Sequence, residues 1–254
     1  MSAQKIAGSV ALVSGANRGI GRAITEALLA AGAAKVYAAA RNTTGLSKLK
    51  QQHGARLELL TLDVTNSDQV AAVAAKATDV DLLINNAGVV SAPLNASIAD
   101  AGHFEAGRQE MEVNYFGVLR LVQAFAPVLA ANGGGAIANV GSVVGLSNFP
   151  MFASYSVSKA AARSLTQALR VQLAGQGTQV FGIYPGPVDT DMASVLEMDK
   201  ATPASVAGEI LNGLEAGTLE IYPDPFAAQF GQQFEASPAG VERHIAGTAV
   251  EQAA

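Results

Sequence analysis

The chain has 254 residues, half of them hydrophobic and only 15% charged, with a net charge of −5 and no cysteine. This composition can fill a large core, and it excludes disulfides, thiolate metal sites and a cysteine nucleophile. The acidic balance argues against nucleic acid or an anionic membrane as a partner, since both call for a basic face.

The N-terminal "MSAQKIAGSVALVSG" imitates a secretory leader, but its apolar run is short and breaks at Gly15 and Arg18. No stretch reads as the roughly 18 consecutive apolar residues of a membrane span. A soluble cytoplasmic protein is expected. His53, His103 and His244 show no ligand spacing, so no metal is expected.

In chain order, short apolar runs alternate with helical patterns. "SVALVSG" (9–15) predicts a strand, and "IGRAITEALLAAGA" (20–33) a helix. "AKVYAAAR" (34–41) and "RLELLTLDV" (56–64) predict two more strands. "TNSDQVAAVAAKAT" (65–78) predicts a helix, with Thr65 and Asp68 set as a capping-box-like start. "VDLLINNAG" (80–88) is the fourth strand. A long helix follows over 108–132, softly interrupted at Pro127. "GGAIANVGS" (134–142) is the fifth strand, and the next helix runs to about Gly175. "TQVFGIYPG" (178–186), a helix over 203–217 and "TLEIYPD" (218–224) complete the pattern. Residues 225–254, with Pro225 and Pro238, read as an irregular tail.

Alternating strands and helices imply an α/β fold: one doubly wound parallel sheet of about seven strands, with helices on both faces. No linker or repeat divides residues 1–254, so one domain is expected, with residues 190–218 as a substrate-loop and helix region. Ligands in such folds bind beyond the carboxyl ends of the strands. The chemistry-bearing residues should therefore follow strands.

They do. "SGANRGIG" sets Gly15, Gly19 and Gly21 between the first strand and first helix. Glycine there admits positive φ and close approach of a pyrophosphate to the backbone, and the helix N-terminus favours the anion. Asn17, Arg18 and Ile20 belong to the same turn. At the end of the second strand, where an NAD site carries a carboxylate, stand Arg41 and Asn42. A guanidinium suits a 2′-phosphate, and Arg18 offers a second charge. This predicts NADP(H) over NAD(H).

Tyr155 and Lys159 lie four apart in "SYSVSKAAARSL" (154–165), on one helical face. Alone, the pair would pass for a surface contact. With "NNAG" (85–88), "EVNYFG" holding Asn114, "VGSVVG" holding Ser142, and "YPGPVDT" (184–190), the set resembles the short-chain dehydrogenase/reductases in order and spacing over roughly residues 8–190. Ser14 departs from the usual threonine but keeps the hydroxyl. The resemblance implies a Rossmann-type fold and a catalytic tetrad of Asn114, Ser142, Tyr155 and Lys159. It implies that Asp63 and Val64 meet the adenine, that Asn86, Ala87 and Gly88 line the cofactor, and that Pro185, Gly186, Val188 and Thr190 hold the nicotinamide side. It also implies a dimer or tetramer through the long helices.

The chemistry wants such residues. A tyrosine with pKa near 10 is a poor base at neutrality, and lowering it by ~3 units needs about 4 kcal/mol. A lysine cation ~5 Å away supplies about 3 kcal/mol at an effective dielectric of 20. The substrate is expected to meet apolar residues: Val143, Val144, Leu146, Phe149, Met151, Phe152, Met192 and Leu196. Such a lining favours apolar or aromatic ketones and aldehydes. A 3-oxoacyl thioester reductase is the alternative within the class, and a non-enzymatic NADP-binding regulator the alternative outside it. A hydrolase using Ser142 lacks G-x-S-x-G and a nearby histidine.

Overall fold

The computed structural model describes residues 4–253. Seven strands form one parallel sheet in the order β3-β2-β1-β4-β5-β6-β7. They are β1 (Val10–Ser14), β2 (Lys35–Ala40), β3 (Leu57–Thr61), β4 (Leu82–Asn85), β5 (Gly135–Val140), β6 (Thr178–Ile183) and the short β7 (Glu220–Ile221). Order reverses between β1 and β4, so the crevice opens past their carboxyl ends.

Successive residues of each central strand serve opposite faces. Ala11 and Val13 of β1 and Ala136 and Ala138 of β5 join the core under α1 (Gly19–Ala30) and α7 (Pro203–Ala216). Leu12 and Ile137 join the other core, under α3 (Ser67–Lys76), α5 (Gly117–Ala131) and α6 (Ala153–Gln172). A short α2 (Ser47–His53) precedes β3, and α4 (His103–Met111) precedes α5.

Four expectations are corrected. Residues 225–253 are not irregular: they form α8 (Pro225–Ala236) and α9 (Pro238–Ala253). Pro225 and Pro238 sit at the first helical position, where a missing N–H costs nothing. The cap of α3 is Asn66, whose Oδ1 accepts from the Gln69 amide at 3.0 Å; Thr65 bonds Asp63 instead. The helix over His103–Ala131 is long and apolar enough to cross a membrane by length and composition. However, its Val118, Leu121, Val122, Phe125 and Leu129 are spent on the sheet core. Finally, that helix is interrupted not at Pro127 but at Glu112–Phe116, a π-helical turn.

Candidate active site

The first turn is built to admit a ligand's backbone contacts. Gly15 and Gly19 have positive φ, at +66° and +55°. A Cβ on Gly21 would lie 2.3 Å from both Asn86 Nδ2 and the Gly15 carbonyl oxygen. No side chain caps α1, so its first-turn amides are free to meet an anion. Ser14 ties this turn to the end of β4. Its hydroxyl accepts from the Asn86 and Ala87 amides at 3.0 and 3.1 Å. The Asn86 side chain donates back to the Ser14 and Gly15 carbonyls.

A cleft of about 810 Å³ runs from this turn to Tyr155 and Lys159. Of the expected cofactor residues, Gly15, Asn17, Arg18, Gly19, Ile20, Gly21, Arg41, Asn42, Asp63, Val64, Asn86, Ala87, Gly88 and Thr190 line it. Pro185, Gly186 and Val188 stand behind that wall; Val188 is buried in the core. Arg18 reaches over the cleft to Asp191, 3.1 Å away, both side chains being exposed. Arg41 acts on Asp63. Burial pushes that carboxyl up, but the Thr65 amide and hydroxyl and the Arg41 charge outweigh it and hold it below its ordinary value.

At the other end, Lys159 is buried and donates to the Val140 carbonyl at 2.9 Å. Its Nζ lies 5.7 Å from the Tyr155 ring centre. The Ser142 hydroxyl donates to the Pro185 carbonyl and accepts from the Val144 amide, both at 3.4 Å, and it lowers the Tyr155 phenol. Asn114 sits in the π-helical turn, a feature frequent at functional sites. Its Oδ1 accepts from the Val89 amide, and its Nδ2 donates to the Val89 carbonyl and the Ser158 hydroxyl. Gly88 passes between: a Cβ there would lie 3.2 Å from Asn114 Oδ1 and 3.4 Å from Lys159 Nζ. The four polar residues expected together are thus brought together, although Asn114 and Ser142 stand just outside the cleft lining.

The electrostatics differ from expectation. Burial pushes the Tyr155 phenol well above its ordinary range, the Glu110 charge pushes it further, and the Ser142 hydrogen bond opposes both. Burial also pushes Lys159 down to about 8. Desolvation is the largest cause of both shifts. The lysine stays mostly charged at neutral pH.

The family model for short chain dehydrogenases matches residues 9–201. The chain belongs to that family. A 3-oxoacyl-(acyl-carrier-protein) reductase of Vibrio cholerae is 35% identical over 199 residues, 77% of this chain and 80% of its own. A galactitol 2-dehydrogenase (L-tagatose-forming) of Cereibacter sphaeroides is 37% identical over 194 residues, 74% of each chain. A short chain dehydrogenase from Burkholderia cenocepacia, solved in complex with NADP, superposes with a TM-score of 0.87. It is 40% identical, with 95% of this chain and 98% of that one covered.

In this short-chain dehydrogenase several apolar candidates are core, not pocket. Val143, Val144 and Leu146 are buried with Tyr184, Ala227, Phe230, Val241 and Ile245. The reason is the helical tail, which covers them. Phe149 packs against that cluster and lies 5.5 Å from Phe230. Phe152 meets the Tyr155 ring edge-on. Met192 lines the cleft and is exposed; Met151 and Leu196 are half-buried and away from its lining.

Sequence reasoning missed three buried polar residues behind the cleft of this dehydrogenase. Asp224 is buried; one oxygen caps α8 at the Ala227 amide and the other accepts from the Gly186 amide, both at 2.8 Å. An Asp one residue before a proline is a cap signal. Glu110 is fully buried on α4, and nothing in its local pattern marks it. Asn139 of β5 accepts from Asn85 and donates to Thr166, tying α6 to the sheet.

Proposed function

We propose that this short-chain dehydrogenase is an NADP(H)-dependent carbonyl reductase, interconverting a ketone or aldehyde with an alcohol. One juxtaposition carries the reading: Tyr155 and Lys159 close one end of the cleft whose other end holds Arg18 and Arg41.

The residues fit the cofactor. Gly15 and Gly21 form a cradle that a Cβ would fill, and the uncapped start of α1 suits a pyrophosphate. No carboxylate follows β2; Arg41 and Asn42 do, both exposed. Arg41 and Arg18 would hold a 2′-phosphate, Asp63 and Val64 the adenine, Asn86 to Gly88 the ribose side, and Pro185, Gly186, Val188 and Thr190 the nicotinamide side. The Burkholderia cenocepacia relative was solved with NADP. When bound, the cofactor supplies the hydride.

The chain's own residues handle the proton. A reduced carbonyl develops negative charge on oxygen, and Tyr155 donates its phenolic proton there. A phenol held above its ordinary range is protonated at neutral pH and so is ready as an acid. Ser142, whose hydroxyl acts on Tyr155, would hold the same oxygen. Lys159 orients and polarises. Asn114 has both amide protons engaged, so only the free lone pair of its Oδ1 is left for a relayed water.

Phe152 meets the Tyr155 ring and Met192 lines the same cleft, which favours medium-sized apolar or aromatic carbonyls. The Vibrio cholerae relative supports 3-oxoacyl thioesters as the second reading. A panel of ketones, aldehydes and 3-oxoacyl thioesters followed at the NADPH absorbance tests both. Turnover of thioesters alone rejects the first reading, and preference for NADH rejects the cofactor assignment. We further place the protein in the cytoplasm as a homo-oligomer, a dimer or tetramer. Val157 and Val171 on α6 and Phe116 before α5 are exposed apolar side chains. A monomer mass by light scattering would remove this expectation.

A further inference from the structure

The buried face of α4 is polar where a helix of this kind is usually apolar. His103, Gly107, Glu110 and Asn114 recur at helical spacing on the side facing α6. His103 bonds Ser154 at 2.9 Å, Gly107 lies against the same serine, and Asn114 bonds Ser158. Glu110, between them, is completely buried. Its Oε1 accepts from two consecutive amides, Ser91 at 2.7 Å and Ala92 at 3.1 Å. Its Oε2 has no hydrogen-bond partner among the described residues.

A buried carboxylate half-satisfied in this way is costly to keep. The two amides belong to the segment after β4, next to Val89, which Asn114 already grips from the same helix. One face of α4 and the following π-helical turn thus hold residues 89–92 at three backbone amides. This segment leads directly from Gly88, beside Lys159.

We propose that Glu110 is a positioning residue: it fixes residues 89–92 as one wall of the cleft beside Gly88 and Lys159. That this wall meets the carbonyl rests on the proposed function; that Glu110 holds it does not.

Two variants test the wall. Glu110→Gln keeps an oxygen acceptor for both amides, and Glu110→Ala removes it. Hydrogen exchange of the peptide over residues 89–96 reads the wall without turnover. Exchange stays slow in Glu110→Gln and quickens by about tenfold or more in Glu110→Ala. KM for the carbonyl follows the same order, rising about fivefold or more in Glu110→Ala and staying near the parent's in Glu110→Gln. Unchanged exchange in Glu110→Ala overturns the wall. If Glu110→Ala fails to fold, Glu110→Met, similar in length and without an acceptor, takes its place: quickened exchange upholds the wall and parent-like exchange overturns it. A parent inactive on every carbonyl overturns the proposed function instead, and the exchange result still decides the wall.

Discussion

The two ends of the cleft are made differently. The cofactor end is made of backbone: Gly15, Gly19 and Gly21 lie within seven residues of chain, and their neighbours Ser14 and Asn86 come from adjacent strands. The other end is made of side chains, Tyr155 and Lys159, backed by a core cluster drawn from far apart, with Val143, Tyr184, Phe230 and Ile245. A backbone site is specified by short motifs that any member of a fold class can share. A side-chain site is specified by which segments happen to cover it, and here α8 and α9 do so.

The largest effect expected is at the substrate end. Tyr155→Phe removes one hydroxyl and the acid with it, and kcat should fall by about 10²–10⁴-fold. NADPH affinity, measured by fluorescence titration, should stay near the parent's because the glycine turn is untouched. Undiminished turnover would end the catalytic assignment; intact binding with no turnover in the parent as well would favour a non-enzymatic cofactor sensor.

At the cofactor end the next effect is electrostatic. Arg41→Asp should raise KM for NADPH by about 10–100-fold, the value of a charge-assisted contact of roughly 1.5–3 kcal/mol. KM for NADH should move little. Equal losses with both cofactors would mean that Arg41 does not meet a 2′-phosphate. Gly21→Ala tests the cradle itself. The added methyl meets the Gly15 carbonyl at 2.3 Å, and backbone cannot step aside as a flexible side chain can. Overpacking of this kind costs about 1–3 kcal/mol, and weaker NADPH binding should accompany the lowered Tm. Gly208→Ala in α7 is the control: its Cβ meets nothing within 4 Å, and a helix gains about 1 kcal/mol from the change.

The same contrast explains what was legible in the sequence. All seven strands and their parallel sheet, though not its order, follow from apolar runs that alternate with helical spacing, because strands buried on both faces carry an unmixed signal. The cofactor turn and the Tyr155–Lys159 pair, which line one cleft, were legible because their residues lie at fixed short separations. Val143 and Val144 were misplaced because a strand-end valine looks the same whether solvent or a later helix lies above it. The tail was misread because Pro225 and Pro238 suggest broken chain, whereas each starts a helix. Glu110 left no signal, since a charged residue on a helix is ordinarily a solvated one. The direction of the Tyr155 shift was also out of reach. Spacing places Lys159 beside it but does not reveal the burial and the Glu110 charge that push the phenol up.

The finest test asks whether the two ends are mechanically joined. Asp224 is the joint: one oxygen starts α8, and the other holds the Gly186 amide in the loop after β6. A Cβ on Gly186 would come within 2.8 Å of both Asp224 and Phe226, so loop and tail are packed with no slack. Asp224→Ser separates the two bonds. Serine is as good a helix cap as aspartate, but its shorter side chain cannot also span to Gly186. Stability should therefore drop by only about 1 kcal/mol, the net value of one hydrogen bond, shifting Tm by roughly 2–4 °C. Asp224→Ala loses the cap as well and should fall by about twice as much. If the tail positions the loop, both variants raise KM for the carbonyl by a similar factor, about fivefold for 1 kcal/mol, despite their different Tm values. A KM that tracks Tm, with serine near the parent, would reduce α8 and α9 to a cover over Val143 and Tyr184 and leave the cofactor loop independent of the tail.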